Sequence, residues 1–198
     1  MLSPWLTLGI CVWLTLLIVV NQAELPAFYY WLGAGGAFLI LTFASRKYCV
    51  WLLASLVSRG AGWVGQLTHS FTAYPFPALI AINTHGGTLN LLLDYECSGI
   101  IEMNAYLSLL IFFPIYNAKE KIILGTLGSL WLYVVNVARV VLVGCVIHFF
   151  NLHALFWVHN VFGRLLFYIL TIWMYYTVFT HSKLIDKILG RKSLQTGA

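Results

Sequence analysis

The chain has 198 residues, of which 61% are hydrophobic and only 9% are charged. Soluble domains carry roughly 25% charged residues, so this composition excludes a soluble domain and indicates an integral membrane protein. The net charge of +5 does not indicate nucleic-acid binding, because the basic residues flank apolar segments as membrane anchors do. The four cysteines form no CxxC pair, which argues against a disulfide framework and against a zinc site.

Apolar segments recur along the chain and predict about six transmembrane helices of ~20 residues each. We therefore predict an all-α polytopic membrane protein that forms a single integral membrane domain over residues 1–198. The predicted spans are residues 2–20, 28–44, 48–68, 97–115, 122–150 and 158–180. The third span is the least apolar, because it contains Arg59 and several glycines.

The segment between the third and fourth spans has a different composition. Pro75 and Pro77 exclude a continuous helix there. Two short apolar runs flank His85-Gly86-Gly87, and this pattern predicts a short extracellular β-hairpin over residues 78–95. The hairpin leads directly into Glu96 and Cys97.

The basic residues predict the orientation of the chain, because Lys and Arg concentrate in cytoplasmic loops. Eight of the eleven lie in three segments: Arg46 and Lys47; Lys119 and Lys121; and Lys183, Lys187, Arg191 and Lys192. Six spans would place all three segments on one side, so we predict that both termini and the basic tail 183–198 are cytoplasmic. The hairpin and the start of the fourth span would then face the outside of the plasma membrane.

Three reactive side chains are predicted to meet at the outer face. Cys97 begins the fourth span and His159 begins the sixth. Arg139 follows Lys121 by about 27 Å of helix, which places it near the outer end of the fifth span. Polar residues recur at helical spacing on two of these spans and give each span a polar stripe. They are Cys97, Asn104 and Ser108 on the fourth span, and Ser129, Asn136 and Arg139 on the fifth.

These residue types suit acyl transfer. A cysteine attacks a carbonyl as the thiolate, and a nearby cation favours that form. His159 can take the thiol proton and later protonate the leaving amine. Arg139 can stabilise a developing oxyanion, and Asn136 can orient either the guanidinium or the substrate. Ser98 and Glu96 flank the thiol as supporting residues, and the chemistry requires no metal and no cofactor.

The segment Gly86 to Ile100, with the motif Cys97-Ser98-Gly99, resembles the extended strand and Cys-Ser-Gly motif of the exosortase/archaeosortase family. Asn136-Val137-Ala138-Arg139 is similar to the Asn-x-x-Arg helix of that family, and His159 with Gly163 resembles its last motif. The resemblance covers about residues 61–180, and size and spacing are most similar to the short G-type exosortases of Gram-positive bacteria. This chain departs from the family in two respects, since many members have about eight spans and have Ala where Glu96 stands.

The resemblance implies a membrane-embedded cysteine transpeptidase or protease. Such an enzyme recognises the C-terminal sorting signal of an exported protein, which consists of a short motif, an apolar helix and a basic tail. It would cleave at the outer membrane face through a thioester and pass the acyl group to an acceptor nucleophile. Cys97, Arg139 and His159 would be its catalytic residues.

Two other functions fit the composition. The chain can be a small transporter in which Arg139 and Arg59 bind an anion, or a membrane assembly subunit without catalytic activity. A transporter is expected to show internal repeats or helices broken near the midplane, and the sequence shows neither. For Arg59 and Arg164, structural pairing, contact with lipid headgroups and contact with substrate are equally compatible with the sequence.

Overall fold

The computed structural model describes residues 4–46, 49–84, 87–93, 95, 97–150 and 161–180. Within these residues the chain is mostly helical, with one small antiparallel sheet. The helices are α1 (Pro4–Gln22), α2 (Pro26–Ser45), α3 (Cys49–Thr68), α4 (Ile100–Phe112), α5 (Ala118–Phe150) and α6 (Gly163–Phe179). The strands are β1 (Phe71–Tyr74), β2 (Leu79–Thr84) and β3 (Gly87–Leu92).

Each predicted span contains a helix, but the fourth helix is shorter than predicted. It begins at Ile100 rather than at Cys97, because Gly99 adopts a left-handed conformation with φ of 76°. It ends at Phe112, since Phe113 is extended, as is usual for a residue that precedes a proline, here Pro114. The motif that contains Cys97 is therefore a turn that precedes α4.

The sheet has one strand more than the sequence predicted. β2 and β3 pair antiparallel, with Leu79 opposite Leu92, and so form the predicted hairpin. β1 adds a third strand on the other side of β2, with Thr72 opposite Ala81. β1 has only four residues and follows α3 after a two-residue turn, so its alternation is too short to identify it in the sequence.

The sheet packs between α3 and the last third of α5. Ile80 and Ile82 of β2 are fully buried there, together with Val143 and Ile147 of α5. The Phe71 ring lies against Gly65 of α3 and Gly144 of α5, and a Cβ added at either glycine would come within 3.0 Å of it. The sheet therefore holds α3 and α5 together at one end of the molecule.

The directions of the helices follow from contacts with α5. α4 runs antiparallel to α5, because it starts beside Asn136, where Asn136 Nδ2 lies 2.9 Å from Cys97 O, and ends near Leu124, to which Tyr106 donates. α3 runs parallel to α5, since Leu56 contacts Tyr133 and Gly60 contacts Val137.

α2 runs antiparallel to α4. Asn104 Nδ2 donates to Ser45 Oγ at 2.9 Å near the end of α2, whereas Gly33, earlier in α2, packs against the Phe112 ring. Because α4 is antiparallel to α5, α2 and α5 point the same way. α2 and α3 therefore run in the same direction.

This arrangement differs from the six-span prediction. Consecutive membrane crossings alternate in direction, so α2 and α3 are not two complete and consecutive crossings. Two helical segments of the described chain are long and apolar enough to cross a membrane, Pro26–Ser45 and Ala118–His148. α1, α4 and α6 contain shorter apolar stretches. α3 buries Ser55 and Ser58, and its Arg59 guanidinium lies 5.5 Å from the Phe76 ring beside the sheet.

The predicted grouping of the basic segments also differs from the structure. The Arg46 guanidinium lies 5.8 Å from the Tyr95 ring, two residues before Cys97. α1 pairs antiparallel with α2, since Trp13 donates to Leu32 O at 2.9 Å, and therefore begins at this same end. The segment with Lys121 is at the opposite end, where Tyr116 donates to Val178 O close to the end of α6. The grouping of the basic segments on one side failed because it assumed that the chain reverses direction between α2 and α3.

We predict that Arg46→Cys and Gly87→Cys react with a membrane-impermeant maleimide from the same side of the membrane. Lys119→Cys should react from the opposite side, because it begins α5 at the other end. Labelling of intact cells, with the modified peptide located by mass spectrometry, measures this. Shared reactivity of Arg46→Cys and Lys119→Cys would contradict the packing of α2 against α4.

Candidate active site

The turn Cys97-Ser98-Gly99 is shaped by local hydrogen bonds. Ser98 Oγ donates to Tyr95 O at 2.8 Å and accepts a 3.4 Å bond from Ile100 N at the start of α4. Gly99 takes the left-handed conformation, which costs other residues about 1–2 kcal/mol. The Ser98 side chain thus bonds to two backbone groups and closes the turn, and Gly99 supplies the left-handed conformation from which α4 starts.

Asn136 fastens this turn to α5. Its Nδ2 donates to Cys97 O at 2.9 Å, and the side chain is only 1% exposed. A Cβ at Gly99 would lie 3.2 Å from Asn136 Nδ2, so the glycine also permits the close approach of the two segments. The sequence predicted Asn136 as a supporting residue, and the structure places it in direct contact with the backbone of Cys97.

Cys97 lies in an apolar environment. It is 7% exposed, is not part of a disulfide, and belongs to the cluster formed by α3, the sheet and α5. Val57 of α3, Ile80 of β2 and Val140 of α5 are members of the same cluster. Cys145 packs against this cluster from α5 and is partly buried, whereas Cys11 and Cys49 are exposed.

Arg139 lies one helical turn beyond Asn136 and is 5% exposed. Its guanidinium lies 5.7 Å from the centre of the Phe167 ring of α6, within the range of a cation–π contact. α5 continues beyond Arg139 to Phe150, where the predicted fifth span also ends, so the depth of Arg139 near the outer face of the membrane stays a prediction. A buried cation of this kind is costly, and in membrane proteins it usually marks a functional site.

Glu102 of α4 is a residue that the sequence analysis missed. It interacts electrostatically with Arg139, and its backbone carbonyl accepts a 3.1 Å hydrogen bond from the Tyr175 hydroxyl of α6. A carboxylate inside an apolar run, five residues after Cys97, was the available signal. Phe167, by contrast, gave no signal, since it is one of many aromatic residues in an apolar segment.

The predicted polar stripe on the fourth span does not point to a single site. Asn104 faces α2, where it donates to Ser45, and Ser108 donates to Ala105 O within its own helix. Cys97 precedes α4, so helical spacing does not relate it to Asn104. On α5, Asn136 and Arg139 are both buried, whereas Ser129 is only partly buried.

His159, Glu96 and the tail 183–198 lie outside the described residues. The convergence of His159 with Cys97 and Arg139 therefore stays a prediction, as does the supporting role of Glu96. Arg164 is described and partly buried. In the described ranges, no group of three or more His, Cys, Asp or Glu side chains could hold a metal ion.

Comparisons with known protein families, curated protein sequences and solved structures find no match for this chain. The similarity to exosortases therefore rests on the motif residues themselves. Among these, Cys97, Ser98, Gly99, Asn136 and Arg139 are described, and the contacts above join Cys97 to Asn136 and place Arg139 one turn away.

We predict that Gly99→Ala lowers the free energy of unfolding by about 1–2 kcal/mol, because the residue is left-handed. The added methyl group would also displace Asn136. Gly35→Ala is the matched control, since a Cβ at Gly35 of α2 has no atom within 4 Å and alanine favours helix. Thermal unfolding in detergent compares the two variants, and equal midpoints would contradict the described turn.

Proposed function

We propose that this chain is a membrane-embedded cysteine transpeptidase or protease that cleaves the C-terminal sorting signal of an exported protein. The observation that carries the proposal is the hydrogen bond from Asn136 to Cys97 O. This bond fixes the thiol-bearing turn against the face of α5 that also carries the buried Arg139. The motif resemblance to exosortases supplies the substrate class.

In the proposed reaction, His159 takes the proton of the Cys97 thiol, and the thiolate attacks the carbonyl carbon of the scissile peptide bond. The resulting oxyanion is stabilised by Arg139, whose guanidinium is a planar array of donors. The tetrahedral intermediate collapses to a thioester as the C–N bond breaks, and His159 protonates the leaving amine. An acceptor nucleophile, or water, then attacks the thioester carbon and the C–S bond breaks. The proton of the nucleophile passes through His159 to the sulfur and regenerates the Cys97 thiol.

The surroundings of Arg139 suit this role. The Phe167 ring holds one side of the guanidinium without accepting a conventional hydrogen bond. The Glu102 carboxyl group of α4 lies within electrostatic range of the guanidinium. In the described part of the chain, no acceptor receives a hydrogen bond from Arg139, and the proposal assigns its donors to the developing oxyanion.

We place the Cys97 end of the molecule at the outer face of the plasma membrane and the Lys119 and Lys121 end in the cytoplasm. The positive-inside rule supports this orientation. Crossings by α1, α2, α4, α5 and α6 alternate in direction, with α3 and the sheet beside the outer part of α5. This proposal replaces six crossings by five, so that the start of α1 faces outside and the tail 183–198 remains cytoplasmic.

We predict that Cys97→Ala reduces processing of the target protein by about a thousandfold or more, because no other group supplies the nucleophile. The target is an exported protein whose C-terminus carries a short motif, one apolar helix and a basic tail. Cys145→Ala is the matched control, since Cys145 packs against the same cluster. Gel mobility and intact mass of the target, in cells that express each variant, measure processing.

We further predict that Arg139→Lys reduces processing by about a hundredfold, because an ammonium group does not reproduce the planar fork of donors. The same processing assay measures this, with Arg59→Lys as a control at an exposed arginine beside the sheet.

If Cys97→Ala processed the target fully, the thiol would be a packing residue. An anion transporter or a non-catalytic assembly subunit would then be the better description.

A further inference from the structure

The buried face of α5 carries two polar groups that lack hydrogen-bond partners in the described part of the chain. Asn136 Oδ1 is buried and accepts no hydrogen bond there. The guanidinium of Arg139, which is 5% exposed, contacts the Phe167 ring and donates to no described acceptor. The two residues are three apart on one helix, so their side chains lie on the same face.

The orientation of the Asn136 amide is fixed by its neighbour. The Cys97 backbone oxygen can only accept a hydrogen bond, so the amide must direct Nδ2 towards it. Oδ1 is consequently the end that remains for another molecule. Buried polar atoms in native proteins almost always have partners, so an unpartnered acceptor beside a thiol-bearing turn calls for a ligand that donates.

We propose that Asn136 and Arg139 together bind a secondary amide, namely the peptide group of the substrate at or next to the scissile bond. Arg139 donates to the carbonyl oxygen of this group, and Asn136 Oδ1 accepts from its N–H. This inference rests on the proposed function and deepens it, because it assigns recognition of the substrate main chain to a positioning residue. Asn136 thus has two tasks, since its other end holds Cys97.

A secondary amide fits this pair better than a simple anion does. An anion would be attracted by Arg139, but the lone pairs of the buried Asn136 Oδ1 would repel it. A peptide group offers one acceptor and one donor, which are the two functions that the pair lacks. The same pair therefore favours a peptide substrate over a transported anion.

Small alkylating reagents test this inference without a known substrate. We would compare 2-iodo-N-ethylacetamide with its isomer 2-iodo-N,N-dimethylacetamide, which lacks the N–H, and with iodoacetate. In each case the thiolate sulfur bonds to the methylene carbon and iodide leaves. Glutathione added to the same sample provides the intrinsic reactivity of each reagent, because Cys11 lies within α1, which we propose as a crossing. Mass spectrometry of the full chain in detergent gives the rate at each cysteine.

Relative to glutathione, Cys97 should prefer the reagent with the N–H by about fivefold, the effect of one net hydrogen bond. Asn136→Leu should abolish this preference. Thr42→Val is the matched control, since the Thr42 hydroxyl is another buried atom without a described partner, on α2, and it should leave the preference unchanged.

Three results would overturn the inference: equal relative rates for the two isomers at Cys97, a relative preference for iodoacetate, or no alkylation of Cys97 by any reagent. The first removes the acceptor role of Asn136, the second indicates an anion site, and the third shows that the site admits no ligand. These outcomes are separate from the processing assay. If cleavage of the target depends on Cys97 but alkylation of Cys97 shows no preference for the reagent with the N–H, the amide site is contradicted and the proposed function is not.

Discussion

The hydrogen bond between Asn136 and Cys97 O is the constraint on which the candidate site depends. A typical hydrogen bond contributes only about 1 kcal/mol net, but a buried donor left without a partner costs about 1–3 kcal/mol. The Asn136 amide therefore strongly disfavours arrangements that move the turn away from α5. Gly99 makes this contact possible, because a larger residue would push the two segments apart. The bond thus relates the start of α4 to a defined level of α5.

The packing around this bond explains how a polar site is kept in an apolar protein. Ile80 and Ile82 of the sheet pack against the last third of α5, and Phe167 of α6 packs against the face of α5 that carries Arg139. The Glu102 carboxyl group lies within electrostatic range of Arg139. Among the described residues, Arg139 thus has an aromatic face and a carboxyl group as neighbours and no hydrogen-bond acceptor.

The sequence predicted what depends on local composition. Hydropathy located a helix within each of the six segments, and the glycine turn located the β2–β3 hairpin. It failed where long-range packing decides. β1 is too short to be recognised, and α3 was taken as a separate crossing although it runs in the same direction as α2. Arg46 was assigned by charge to the side opposite Cys97, yet it stacks near Tyr95 because α2 pairs antiparallel with α4.

In the candidate site, too, the sequence predicted residues that share a motif and missed residues that only packing brings together. Motif spacing singled out Cys97, Ser98, Asn136 and Arg139, and among these the structure brings Asn136 into contact with Cys97 O. The spacing did not reveal Glu102, because its relation to Arg139 arises from the packing of α4 on α5. Asn104 was grouped with Cys97 by helical periodicity, which does not apply, since the thiol precedes the helix.

The most direct test of the account is a search for the acyl-enzyme. The full-length protein would be isolated from cells that export the target, quenched in acid, digested and examined by mass spectrometry. The proposal predicts that the peptide containing Cys97 carries the acyl fragment of the target and loses it on treatment with hydroxylamine, as a thioester does. Accumulation of processed target with an unmodified Cys97, and with the acyl fragment attached to another residue, would contradict the account.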